Sequence, residues 1–323
     1  MVDVVIAWVD GEDPTHKQKK AQYLTDKNET DFDDIAGVMR YRSTGEIYYC
    51  VASVLRYAPW VRKIFIVTDN QNPHVDKFVS QNFPDNKIPI EIVDHMVLFR
   101  GHEQYLPTFN SISIETMLWR IPGLSDKFIY FNDDVFLAAP AREDMWFEGD
   151  KTNIYAERFP TAWARLLRWG KHLGKKHKVF GHKDSMLNSA DILGANFFYL
   201  FPHAPLPMRR TWFEKFYAEH PHLITHNIRH RFREASQLSI PTLFYTSAYQ
   251  EGTLKVKPSK GTTCFFKPSQ KKTTQYMARK ISEAENNKDI KFGCINSLGE
   301  TTEDTQLMFQ EWILKKLKIL LDL

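Results

Sequence analysis

Val2-Asp3-Val4-Val5-Ile6-Ala7-Trp8-Val9 is a short, β-branched run that stops at Asp10-Gly11-Glu12-Asp13-Pro14, where glycine and proline turn the chain. A run with so few polar residues reads as a strand buried on both faces. Two more follow: Lys63-Ile64-Phe65-Ile66-Val67-Thr68, broken by Asp69-Asn70-Gln71-Asn72-Pro73, and Ile88 to Val93, followed by Asp94 and His95. Between the first two, Tyr48 to Arg56 has helical spacing and stops near Pro59. Strands alternating with helices predict an α/β core with a mostly parallel central sheet. Ligands bind such sheets at the C-terminal ends of the strands, so Asp10, Asp69 and Asp94 are candidates. Capping or turning the chain is the equal alternative for each. No GxGxxG or GxxxxGK[ST] run occurs, so the usual phosphate cradles are missing.

With 323 residues the chain is long enough for one large domain or two smaller ones, with a core that needs no disulfide or structural metal. Lys and Arg number 43 against 39 Asp and Glu, too weak an excess for a nucleic-acid binder. Cys50, Cys264 and Cys294 are widely spaced; they predict buried thiols and a reducing compartment. The sequence shows no secretory signal pattern and no run of roughly 20 apolar residues, which leaves peripheral membrane attachment open.

A fourth apolar run, Lys127 to Phe131, stops in Asn132-Asp133-Asp134 and resumes at Val135-Phe136. Adjacent acids among apolar residues are costly without compensation, and a divalent cation shared with a substrate phosphate supplies it. Both acids reach one ion only if the chain turns there, and Asp134 is the expected direct ligand. A solvent-exposed turn is the plainer alternative. Upstream, Asn110 or Ser111 caps a helix expected to reach Arg120, with Glu115 on it either as a surface residue or as a wall of a site.

In the second half, His203 stands between Pro202 and Pro205; it is structural, or a group that handles protons or phosphate. His226-Asn227-Ile228-Arg229-His230-Arg231-Phe232-Arg233 is a phosphate-facing cluster or a solvated basic face. Trp163 to Trp169, followed by several lysines, is amphipathic and basic, fitting an anionic membrane or polymer as well as a folded helix. Trp312 to Leu321 is expected to dock on the core, and Lys255 to Lys272, rich in Lys, Thr, Pro and Gly, to run over the surface.

Taken in order, these pieces resemble the Stealth family of sugar-1-phosphate transferases, which includes bacterial capsular polysaccharide phosphotransferases. Val5 to Pro14 is similar to the family's first block. The second is matched from Arg40 and Arg42 through Tyr57-Ala58-Pro59-Trp60-Val61-Arg62-Lys63, Val67 to Gln71, Leu106 to Asn110, Glu115 and Arg120 to Leu124, ending at Asn132-Asp133-Asp134. The third is looser, around His203 and Arg233; the fourth resembles Phe292 to Asn296, with Ser297 where members often carry an acid.

The resemblance implies a Rossmann-like nucleotide-sugar transferase core with helical insertions. It places Glu115, Asp134, His203 and Arg233 at the catalytic centre, Asp10, Gly11, Arg40, Arg42 and Asp69 on the donor nucleotide, and Mg2+ or Mn2+ on Asp133 and Asp134. Residues 1–150 are then the N-terminal part of the catalytic core, 151–190 a basic helical insertion, and 191–323 the C-terminal catalytic and acceptor-binding part of the same large domain. The implied reaction moves a hexose-1-phosphate or N-acetylhexosamine-1-phosphate from a UDP-sugar to a glycan hydroxyl and releases UMP. Its setting would be bacterial capsule or cell-surface polysaccharide synthesis in the cytoplasm, peripheral to the inner membrane and its capsule-assembly partners. The alternatives are a metal-dependent glycosyltransferase releasing UDP and a noncatalytic glycan-binding assembly protein.

Overall fold

The N-terminal run forms β1 (Val2–Ala7), and the other three apolar runs form β2 (Lys63–Thr68), β3 (Ile90–Asp94) and β4 (Lys127–Asn132). These strands are mutually parallel in the order β4-β1-β2-β3. The structure is a computed structural model and describes residues 1–24, 45–173 and 181–321. Arg40 and Arg42 lie outside the described residues, as does part of the expected 151–190 insertion.

Period-two alternation gives the sheet a core on each face. Val4, Ile6, Ile64, Ile66, Ile129 and Phe131 point to one side, where helices Glu46–Tyr57 and Glu303–Leu317 supply Val51, Val54, Phe309 and Ile313. Val5, Phe65, Val67, Phe128 and Tyr130 point to the other, against helices Arg210–Glu219 and Ile240–Gln250. Burial on both faces explains why these strands read as unbroken apolar runs.

Four short strands follow β4: β5 (Val135–Leu137), β6 (Phe147–Glu148), β7 (Lys151–Tyr155) and β8 (Glu157–Pro160). Next come β9 (Phe197–Leu200), antiparallel to β8, and β10 (Leu206–Arg209), which closes the β4 edge of the central sheet antiparallel. β11 (Leu254–Lys257) pairs with β7; β12 (Thr263–Phe266) and β13 (Phe292–Ile295) form a second small sheet with β5. The architecture is α/β with a mixed, mostly parallel central sheet.

Two readings change here. The 255–272 stretch is not a surface excursion throughout, because β12 buries Cys264 and Phe266 in the core while its alternate residues face outward. The helix from Ser111 is α-helical only to Met117 and tightens into a 3-10 turn over Leu118–Arg120. The carboxyl-terminal run docks as expected through Ile313 and Leu317, which are fully buried, and Trp312, which packs against Phe136 and Phe266, while Leu320 stays exposed. Cys50, Cys264 and Cys294 are buried thiols.

Candidate active site

Parallel pairing sets Ala7 opposite Asn132, so the chain leaves β1 at Trp8 beside the place where it leaves β4 at Asp133. Asp133 and Asp134 form a tight turn between β4 and β5, the geometry that two adjacent acids need to share one ligand. β13 holds this turn from the far side: Ile295 N donates to Asp134 O at 2.9 Å, and the Cys294 thiol donates to Asp134 Oδ2 at 3.5 Å. Asp134 Oδ1 is buried with no hydrogen-bond partner. Burial raises the Asp134 pKa, opposed by His203, Cys294 and Asn296. Burial, then the charges of Asp134 and Glu46, holds Asp133 well above the carboxylate range. Two acids that resist ionising, one with an orphaned oxygen, suit a cation.

Among the described residues no three His, Cys, Asp or Glu side chains are grouped to hold a metal alone. The fit is to an ion bound by one or two carboxylates and completed by substrate oxygens and water.

The turn opens on a cavity of about 600 Å³. Its walls come from the ends of β1 and β4 (Trp8, Val9, Asp133, Asp134), the start of helix Glu46–Tyr57 (Glu46), and the cap of helix Ser111–Met117 (Thr108, Asn110, Ser111). His203, Arg233, Phe265, Lys267 and Asn296 complete it from the second half of the chain.

Arg233 is brought there by a buried polar clamp. The Asn110 amide caps its helix through Ile112 N and donates to His230 O at 3.0 Å, Phe232 O at 2.8 Å and Gln237 Oε1 at 2.9 Å. Phe109 N donates to Arg231 O at 2.8 Å. Fixed in this way, Arg233 donates to Ser111 Oγ at 2.8 Å and lies close enough to Glu115 to affect its charge. Burial lifts the Glu115 pKa to about 7, against the pull of Arg233 and the Tyr130 hydroxyl. Glu115 thus stands with Arg233 and Tyr130, one residue past the wall residue Ile114.

The His203 ring stacks flat on Phe265 at 4.7 Å with 7° between planes, an exposed ring with a fixed face.

The predicted basic cluster does not act as a unit. Arg231 is spent on the carbonyls of Gln104 and Leu106, and Arg229 donates to the His230 ring; of the three arginines only Arg233 lines the cavity. Asp94 caps Met96 N and accepts from Asn70 N, the structural alternative for that residue. Asp10 caps Glu12 N in the turn containing the buried Gly11, and Gln71 ties that turn to the end of β2 through Asp10 N and O. The cavity wall beside them is Ala7 to Val9.

Asp69 reaches the cavity through others. It pairs with Lys19 and, at 3.4 Å, with His16, a lining residue. Burial lifts its pKa, but His16, His95 and Lys19 more than offset that and hold the carboxyl ionised. His95 is fully buried, and desolvation lowers its pKa to about 4, so the ring is neutral. Both of its ring nitrogens, the Trp8 indole N–H and the Thr108 hydroxyl are buried cavity-lining groups without hydrogen-bond partners.

Sequence reasoning missed Glu46, His16, His95, Tyr130, Phe265 and Lys267. Glu46 opens a recognisable helix, and His95 follows a predicted strand end. Lys267 carried no local signal, because it reaches the site only through the β12–β13 pairing.

Comparison with known proteins identifies the family. Residues 40–155 match the model described as Stealth protein CR2, conserved region 2. The chain is 34% identical over 275 residues to the capsular polysaccharide phosphotransferase fcs1 of Haemophilus influenzae, covering 82% of this chain and 69% of that one. It is 30% identical over 312 residues to the capsular polysaccharide phosphotransferase LcbA of Neisseria meningitidis, covering 91% and 77%. A match to cps1A of Actinobacillus pleuropneumoniae, 41% identical over 149 residues, spans 39% of that relative's length. Among solved structures, the galactosyltransferase LgtC aligns over 99% of this chain and 97% of its own, with a TM-score of 0.47 and 12% identity. The chain belongs to the Stealth family of capsular polysaccharide phosphotransferases.

Proposed function

We propose that the protein transfers a hexose-1-phosphate or N-acetylhexosamine-1-phosphate from a UDP-sugar to a glycan hydroxyl on the cytoplasmic side of a bacterial membrane. The observation that carries this reading is a single cavity lined both by the acidic turn, Asp133–Asp134, and by the cations Arg233 and Lys267. A diphosphate needs both, because its charge must be neutralised while the attacking and leaving oxygens lie in line across phosphorus.

In this scheme the acceptor oxygen attacks the β-phosphorus, the bond to the bridging oxygen breaks, and UMP leaves with that oxygen. The sugar C1–O bond survives, and the product is a phosphodiester. Asp134, with Asp133 beside it, would hold Mg2+ or Mn2+, which supplies charge neutralisation on the diphosphate. Arg233 donates to the equatorial phosphate oxygens. Glu115 fixes the Arg233 guanidinium in place. His203, oriented by Phe265, takes the acceptor proton. The unpartnered donors and acceptors of Trp8, His95 and Thr108 suit the polar edge of the uracil or its ribose.

The test is product analysis of the purified protein with a UDP-hexose or UDP-N-acetylhexosamine, a divalent cation and a capsular oligosaccharide acceptor. UMP and a phosphodiester resonance in the phosphorus spectrum are expected. UDP with a directly glycosylated product would replace this reading with glycosyl transfer. Acceptor binding with no nucleotide product across the donor panel would reduce it to glycan binding.

A further inference from the structure

Helix Thr161–His172 is amphipathic in the reverse sense for a protein surface. Its inward side is small and polar: Thr161 is buried, Ala164 packs with Met186, Leu187, Ala190 and Phe198, and Arg168 is half-buried beside Asn188 and Asp184. At 100° per residue, Trp163, Leu166, Leu167, Trp169 and Leu173 fall on the opposite side, and each is between 47% and 64% exposed. Five large apolar side chains facing away from the core form a docking face rather than the scattered apolar residues of an ordinary surface.

We propose that this helix lies in the interface of an anionic lipid bilayer and docks the enzyme on the membrane. The partner is read from charge. Between Thr161 and Lys183 the sequence contains no Asp or Glu, and Lys171 and Lys183 stand on the flank and the adjoining helix. A second copy of the same face would bring like charges together, whereas acidic headgroups would complement them. Two tryptophans beside leucines and cations suit the headgroup–acyl boundary, where an apolar ring body and a polar N–H are both accommodated. The remaining helix–protein contacts, including Arg165 to Asp191 at 2.5 Å, keep the helix on the body when its outer face is covered. None of this depends on the chemistry assigned to the cavity.

Co-sedimentation of the full chain with sucrose-loaded vesicles tests the proposal, using phosphatidylcholine alone or mixed with phosphatidylglycerol. Binding is expected on the mixed vesicles and should weaken as salt rises. The double variant Trp163→Ser/Leu167→Ser should bind at least about tenfold less, and Lys171→Ala about fivefold less. Both should keep the wild-type melting temperature and turnover with soluble substrates. Equal pelleting of wild type and double variant would overturn the assignment. So would failure of the wild type to bind, or sizing showing that the wild type self-associates through this face and the double variant does not.

Discussion

Asp134→Asn separates the two demands placed on the acidic turn, because it should damage the reaction while leaving the fold intact. The substitution keeps the side chain's shape and the Cys294 contact on one oxygen, and removes a carboxylate whose other oxygen has no partner in the protein. Burial raises the folded-state pKa of Asp134 above its ordinary 3.8. Folding therefore favours the protonated form, and the contribution of this group to stability is lost as pH rises from about 4 towards the folded pKa. Asparagine carries no such cost, but its buried amide needs a partner, an opposing penalty of about 1–3 kcal/mol. The two act in opposite directions at neutral pH, so the cation-free variant should melt close to wild type. Its melting temperature should gain on wild type as pH rises from 4 to neutrality. Turnover should fall by about 10²–10³, or about 2.7–4 kcal/mol of transition-state stabilisation, typical for removing one electrostatic contact to the reacting group. UMP release at saturating donor and cation, paired with thermal melts without ligand, reads both. Turnover within about threefold of wild type would refute the role given to Asp134. A melting collapse at pH 7.5 would refute the claim that its charge is unneeded for folding.

Glu115 titrates near 7, so kcat/KM should rise with pH through about 7 as its carboxylate forms and fixes Arg233. Glu115→Gln should lower the plateau and abolish that limb, and a pH–rate profile that keeps it would remove Glu115 from this role. In β13, a methyl on Gly293 would sit 2.2 Å from the ring of Phe136, which is buried against Phe266, Phe309 and Trp312 and cannot retreat. Gly293→Ala should therefore cost about 1–3 kcal/mol by denaturant unfolding, and should lower activity by displacing the strand that holds Asp134; an unchanged midpoint would refute the packing argument.

How much of this was open to sequence reading varies with the range of the interactions involved. Strands buried on both faces declare themselves as short apolar runs, and their stops mark the sheet's C-terminal edge. For that reason the parallel core, and the place of Asp133 and Asp134 at its edge, follow from local pattern alone. The turn that carries both acids, however, is held by β13, about 160 residues later, through Ile295 and Cys294. Arg229, Arg231 and Arg233 are equivalent as sequence, and only the clamp from Asn110 and Phe109 decides which of them faces the cavity. Lys267 had no local mark, and neither did the neutrality of His95. One is set by strand pairing, and the other by desolvation, a property of everything packed around a side chain. Sequence alone thus determined the elements, their order and the acidic edge, because period and punctuation act over a few residues. Which cations, rings and hydroxyls meet that edge, and in which charge state, was decided by tertiary packing, because contact and burial join residues that the chain keeps far apart.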